Sequence, residues 1–412
     1  MQLSPRSLLV NRTRGSVRLQ STALHFYQNR QLELYAAKEA QRLTLRQLVF
    51  FGRSMNAQRL ITSANYVRTE LPVRIAHRLR DMQALPYVVV MQEGVAKVYE
   101  LYWSAFEKFR RYPQIDTLED NEAFCSFLRA ILDDHASVIP NLSLGLSLAS
   151  PHLPPDQLDS FMRRMLVSRI SRRVLAEHHI ALSDSVAGRD RDTDGDGHVG
   201  IIYTGLSVEK SVRRCTALLR ELTYDSEHTS PQKGDDARWP EVIIEGHLDT
   251  KFAYIREHLE YIIFELLKNS MQATVAKHSG AAQLPPILVT IVAGVDNISM
   301  RISDQGGGLL TPQIKSPSDL FSFSHLRNAT RLEHSRLGSL RTAVSNPAGM
   351  RATVEELVDR WQQEQRQVPD PQVEAGVGRH PRLGIGLAMS NIFARYCGGS
   401  LELVSIDGWG MD

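Results

Sequence analysis

Cysteine is scarce in this 412-residue chain: Cys125, Cys215 and Cys397 are the only three, far apart in sequence. They form no metal-ligand spacing and no disulfide framework, which fits a reducing compartment. Long apolar runs are also lacking. None approaches the ~18 residues that span a bilayer, so an integral membrane protein is not expected. Charge of one sign is not in excess either. A net charge of +2 leaves no electrostatic footprint for nucleic acid. Acid is missing from one stretch. No acidic residue precedes Glu33, while Arg6, Arg12, Arg14, Arg18 and several serines do. That composition fits a mitochondrial transit peptide over residues 1–30 and a matrix location; a disordered basic tail is the plainer alternative. What remains, with 42% hydrophobic and 23% charged residues, is ordinary for a globular protein with room for two or three domains.

From about 40 to 183 apolar residues recur at helical spacing. "TLRQLVFFGR", "LPVRIAHRLRDMQAL", "VAKVYELYWSAFEKFRRY", "NEAFCSFLRAILDDHASVIPNLSLGLSLA" and "LDSFMRRMLVSRISRRVLAEHHIAL" follow one another, some separated by Pro-containing or polar breaks. Long helices with short connections predict a bundle over residues 31–185. The polar loop "SDSVAGRDRDTDGDGHVG" then marks a domain junction. Beyond it, residues 186–412 mix helices ("SVEKSVRRCTALLREL", the helix holding "ELLKNSMQAT", "GIGLAMSNIFARYCGG") with strands. "EVIIEG" and "SLELVS" read as strands. "ILVTIVA" and "ISMRIS", joined through "GVDN", read as a hairpin. Mostly antiparallel strands with helices make this half α+β.

Three segments carry chemistry. In "ELLKNSMQAT", Glu265, Lys268, Asn269 and Gln272 fall at i, i+3, i+4 and i+7, on one helical face. A solvated stripe is the bland reading; a polar wall of a ligand pocket is the sharp one. "DQGGG" follows a strand. Asp304 there is an acceptor suited to an adenine amino group, and glycines 306–308 let backbone approach a flat base. "GIGL" opens a helix, where Gly384 and Gly386 leave backbone N–H groups free for phosphate oxygens. Asn269 offers a neutral oxygen for a Mg²⁺ already bound to phosphates. Glu265, one turn away, is placed to polarise an attacking hydroxyl. Each piece alone is weak; the ordered trio is strong.

In that order, the trio resembles the N, G1 and G2 boxes of the GHKL ATPase superfamily. From about residue 40 to 412 the chain resembles the mitochondrial 2-oxo acid dehydrogenase kinases. "ELPVRIAHRLRDMQALP", "ILDDHASVIPNLSLG", "SRISRRVLAEHHIAL", "GIIYTGLS" and "ARYCGGSLELVS" carry the likeness outside the nucleotide segments. The resemblance implies an N-terminal four-helix bundle followed by a GHKL ATP-binding α/β sandwich. It implies ATP and Mg²⁺ as cofactors and phosphorylation of a serine on the decarboxylase alpha subunit of the complex. Glu265 would be the base and Asn269 the Mg²⁺ ligand. Lys268, Asp304, Gly306, Gly308, Gly384, Gly386 and Leu387 would contact the nucleotide. Docking on the lipoyl domain of the acyltransferase core and homodimer formation are further implications. Motif likeness leans slightly to the branched-chain complex, with pyruvate dehydrogenase a near equal. A non-catalytic ATP-binding scaffold on the lipoyl core is the competing class.

The sequence departs from that family's usual pattern in places. Tyr261 stands where many members carry His one turn before the base, and Gln272 where Arg usually follows "KNSM". Arg382 replaces a glycine, Leu326 and Arg327 replace the lid Ser-Thr, and an insert over 329–380 lengthens the lid. A returning strand is expected beyond "DGWGMD", because a D-G turn calls for one, and the resemblance implies a tail after it. Asp192, Asp194, Asp196 and Gly197 match half of an EF-hand loop. Tyr203 at its twelfth position favours a plain surface loop instead. Arg169 and Arg173, four apart, can face one point. They serve either as salt-bridge partners or, as the resemblance implies, with His135 as a pocket for an inhibitory 2-oxo acid.

Overall fold

The computed structural model describes residues 29–149, 152–189, 197–221, 239–281, 283–309, 317–323 and 385–412. The half-EF-hand aspartates, Gly384, Arg382, Leu326, Arg327 and the 329–380 insert lie outside the described residues. Helices make up the first half: α1 (Arg30–Ala36), α2 (Leu45–Gly52), α3 (Ala57–Gln83), α4 (Tyr87–Val90), α5 (Glu93–Arg110), α6 (Leu118–Asp134), α7 (Val138–Ala149) and α8 (Pro155–Val186). Local chemistry sets several starts. Asn56 caps α3 by accepting the Arg59 N–H, Thr117 and Asp120 form a capping box on α6, and Pro155 opens α8. Helix α3 packs on α5, α6 and α8, while α5 also meets α7.

Two features differ from the periodicity. Helix α3 runs straight through Pro72, which forfeits one backbone hydrogen bond; Leu60, Ala64, Val67, Leu71, Ile75 and Leu79, all buried, outweigh that loss. The stretch 121–149 is not one helix but breaks at 135–137 into α6 and α7. The Arg169 guanidinium meets that break, donating from Nη1 to the His135 carbonyl at 2.8 Å. Deeper in this half, a buried polar chain joins three helices. Ser63 Oγ donates to His179 Nδ1 (3.0 Å), His179 Nε2 donates to Asn121 Oδ1 (3.0 Å), and Asn121 Nδ2 donates to Ser183 Oγ (3.2 Å).

The second half contains β1 (His198–Val199), β2 (Ile202–Ser207), α9 (Val208–Glu221), β3 (Val242–Gly246), β4 (Lys251–Ile255), α10 (Arg256–Lys277), β5 (Ile287–Ala293), β6 (Ile298–Ser303), α11 (Gly386–Tyr396), β7 (Ser405–Ile406) and β8 (Gly410–Met411). One sheet has the order β1-β2-β4, all antiparallel; the other has β3-β5-β6. The expected hairpin is present as β5 and β6, with Ile287, Val289 and Ile291 buried in alternation. Strand β3 pairs with β5 in parallel, so this sheet is mixed. Strands β1, β2 and β4 carry too little clean alternation to be read from sequence.

"SLELVS" is strand only at its last residue. Residues 401–404 are not assigned to strand, although Val404 and Asp412 exchange two backbone hydrogen bonds of 2.8 Å. The segment that returns after the D-G turn is therefore Gly410–Asp412. Helix α10 packs on α9, α11 and strands β2, β4 and β6, and buried apolar residues of both halves join in one cluster. Among the described residues, no helix is long and apolar enough to cross a membrane.

Candidate active site

Helix α10 carries the polar stripe. Tyr261, Ile263, Phe264, Leu267, Ser270, Met271 and Thr274 are all buried, so the helix is enclosed on most sides. Glu265 is itself only 9% exposed, and Lys268, Asn269 and Gln272 are half-buried. A freely solvated stripe would not look like this. The helix meets two segments that the sequence places far away, one at Glu265 and one at Ala273.

The first is the start of α11. A Cβ added to Gly386 would fall 1.9 Å from Glu265 Oε2. The carboxylate thus lies against the first residue of that helix, at its positive end. Only a residue without a side chain admits it. Lys268 Nζ forms an ion pair with Glu265 and holds it from the other side. Leu387 follows on α11, half-buried. Asn269 has no side-chain hydrogen-bond partner among the described residues, which leaves its amide oxygen available. Tyr261, one turn before Glu265, packs on the Phe393 ring at 5.0 Å. Burial first, and then the Glu265 charge, raise its pKa well above the usual value.

The second is the loop after β6. Asp304 is buried, and its Oδ1 accepts the N–H groups of Gly306 (2.8 Å) and Met411 (3.2 Å). Its Oδ2 has no hydrogen-bond partner among the described residues. Gly306 lies against α10, where an added Cβ would come 2.5 Å from Ala273 Cβ. Gly308 faces the β7–β8 turn. Its φ is +72°, and its Cβ position faces the Ile406 carbonyl at 2.7 Å. The β7–β8 turn fills that space. Lys277 of α10 ties the same turn down by donating to the Gly408 (2.7 Å) and Trp409 (3.1 Å) carbonyls.

Glu265, Asn269 and Asp304 thus lie along one buried helix and the two loops packed on it. The arrangement fits a nucleotide with its metal in chemical terms: an acceptor oxygen on Asp304, a neutral oxygen on Asn269, and a helix start at Gly386. Among the described residues, no group of three His, Cys, Asp or Glu side chains is placed to hold a metal ion. A Mg²⁺ that arrives with phosphates needs few protein ligands.

A second constellation lies in the helical half. His135, Arg169 and Arg173 line one cavity that is partly open to solvent. Arg173 pairs with Glu177 at 2.6 Å. His135 Nε2 donates to the Leu101 carbonyl at 3.3 Å, so Nδ1 is left as an acceptor. Burial first, then the Arg172 and Arg169 charges, lower the His135 pKa to about 3. A neutral ring in this tautomer accepts at Nδ1; it does not donate to a keto oxygen there. Arg172 also lines the cavity and was not singled out from the sequence, although "RISRR" places it three residues after Arg169.

A family model described as "Mitochondrial branched-chain alpha-ketoacid dehydrogenase kinase" matches residues 42–203. Among curated proteins, the chain is 30% identical to a mitochondrial [pyruvate dehydrogenase (acetyl-transferring)] kinase 2 of Saccharomyces cerevisiae, over 94% of this chain and 84% of that protein. It is 27% identical to the mitochondrial [pyruvate dehydrogenase (acetyl-transferring)] kinase of Arabidopsis thaliana, over 90% of this chain and 88% of the relative. Isozyme 4 of the human kinase is 26% identical, over 93% of this chain and 82% of its own length. By these likenesses this chain belongs to the mitochondrial 2-oxo acid dehydrogenase kinase family.

Proposed function

We propose that this protein uses Mg²⁺-ATP to phosphorylate a serine on the decarboxylase alpha subunit of a 2-oxo acid dehydrogenase complex, and so inactivates it. The observation that carries the proposal is the Glu265 carboxylate, buried against Gly386 at the start of α11 with Asn269 one turn along. In this reading Glu265 takes the proton of the serine hydroxyl, and Lys268 holds the carboxylate in place. Asn269 supplies an oxygen to Mg²⁺. Asp304 Oδ2 accepts from the adenine amino group, while Gly384, Gly386 and Leu387 meet the phosphates. Bound Mg²⁺ would supply charge neutralisation at the transferring phosphoryl group. Residues 31–185 would form a four-helix bundle for docking and regulation, and 186–412 a GHKL sandwich for catalysis. The lipoyl domain of the acyltransferase core is the proposed dock, and a homodimer the proposed assembly.

The family model concerns a branched-chain kinase, whereas the relatives are named for pyruvate dehydrogenase. The proposal therefore names the class of complex, and the test presents both. Purified pyruvate and branched-chain complexes are incubated side by side with the protein and labelled Mg²⁺-ATP. Label on a decarboxylase alpha subunit, lost with Glu265→Gln, is the expected outcome. Absence of label from both subunits, with ATP still bound, would favour the scaffold reading.

The same family reading makes the cavity of His135, Arg169 and Arg173 a regulatory site for a 2-oxo acid. Support comes from the cavity itself, which two guanidinium groups and a histidine line beside an apolar wall. A bound acid would inhibit by favouring one arrangement of α8 over another. Arg173→Ala is expected to relieve inhibition by the acid while leaving ATP affinity in its absence little changed.

A further inference from the structure

The cavity holds one more cation than the pair assigned above. Arg172 lies between Arg169 and Arg173 in sequence and lines the same space. It is only 7% exposed. Its Nε donates to the Ser168 carbonyl at 3.2 Å, its Nη2 donates to the Tyr102 hydroxyl at 2.7 Å, and its guanidinium sits 4.4 Å from the centre of the Tyr102 ring. All these partners are neutral. No carboxylate pairs with Arg172 among the described residues, and its Nη1 has no hydrogen-bond partner there. Arg173, by contrast, already has Glu177.

A buried guanidinium without a counter-charge is costly, and an aromatic face offsets only part of that cost. One ligand carboxylate shared by Arg169 and Arg173 would leave Arg172 uncompensated. A second carboxylate on the same ligand would not. The planar fork of arginine suits such a group. Leu71, Ile75, Phe109 and Leu128 form an apolar wall that suits a short carbon chain.

We propose that Arg172 makes this cavity selective for dicarboxylic 2-oxo acids over monocarboxylic ones, by binding the second carboxylate. The proposal rests on the reading of the cavity as a 2-oxo acid site. The test is calorimetric titration of the full chain, without nucleotide, with 2-oxoglutarate and with 2-oxopentanoate. These two acids have the same chain length and differ in the second carboxylate. 2-Oxoglutarate is expected to bind at least about tenfold tighter, as a desolvated charge pair allows. In Arg172→Met the ratio should fall below about threefold, with 2-oxopentanoate affinity nearly unchanged. Arg172→Gln, which is neutral but polar, replaces it should the Met variant not fold. Tyr102→Phe keeps the charge and should keep the preference.

Equal or tighter binding of 2-oxopentanoate to the parent would overturn the selectivity while leaving the cavity as an acid site. So would a preference that survives in the Arg172 variants. If neither acid binds, or if Arg173→Ala binds both as the parent does, the cavity reading itself fails and this proposal goes with it.

Discussion

At the scale of single residues, the contact between Glu265 and Gly386 is the most exposed to test. In Glu265→Gln the carboxylate loses its basicity but keeps its shape. ATP affinity should change little, and phosphoryl transfer should fall by roughly 10²–10⁴, the usual contribution of a general acid–base group. Equilibrium binding of a nucleotide analogue, set beside initial rates, separates the two effects. Asn269→Ala should instead abolish Mg²⁺-dependent nucleotide binding, which titration with and without Mg²⁺ will detect. Gly386→Ala puts a methyl group where Glu265 Oε2 now stands, 1.9 Å from its added Cβ. The carboxylate must then leave, so this variant should match Glu265→Gln in lost turnover although it alters no titratable group. A Gly386→Ala protein with normal turnover would remove the contact from the mechanism.

At the scale of elements, the helical half depends on a polar chain that no pattern of apolar spacing announces. His179 links Ser63 on α3 to Asn121 on α6, and burial holds its pKa down to about 4. It is 1% exposed, so its removal leaves both a void and two polar groups without a partner. His179→Ala should cost about 3 kcal/mol, from the void and the unpaired groups together. Urea unfolding gives the number; a loss below about 1 kcal/mol would mean that the helices repack around the site. The nucleotide half has a comparable tie in the β7–β8 turn. Gly308 meets it with φ +72° and an Ile406 carbonyl at 2.7 Å from its Cβ position. Gly308→Ala should therefore loosen that turn by about 1–3 kcal/mol through backbone strain, with faster amide exchange at Gly307 and Gly408 as the local sign.

For the whole molecule, the response to acid is set by four buried histidines among the described residues. Burial is the first cause in each case, lowering His135 and His258 to about 3 and His178 and His179 to about 4. In the unfolded chain each titrates near 6.5, so below that pH the unfolded state binds more protons than the folded one. Stability is full above about pH 6.5 and is lost as the pH falls toward the folded values. Between pH 7.5 and 5.5 each histidine removes about 1.4 kcal/mol. Glu257 works the other way. Burial first, and then Glu177, raise its pKa, so its protonation favours the folded state as the pH falls. Urea midpoints at the two pH values should still show a net loss. An unchanged midpoint would mean that these rings are charged or solvated in the folded protein.

The order of chemistry along the chain was legible without coordinates. Helical spacing, the β5–β6 hairpin and the face shared by Glu265, Lys268 and Asn269 all follow from local periodicity, because side-chain direction repeats every few residues. So does the adjacency of Arg169 and Arg173. Distances between segments are not local properties. That Glu265 is buried against Gly386, that Gly308 is held by the β7–β8 turn, and that Arg172 joins His135 in one cavity depend on how α10, α11, α6 and α8 pack. Single-residue readings missed the break at 135–137 for the same reason: the His135 carbonyl there accepts from the Val138 N–H and also from Arg169, which lies 34 residues away. Sequence determined which groups this protein has and on which face each one lies; tertiary packing decided which of them meet, because burial and electrostatics act through space and not along the chain.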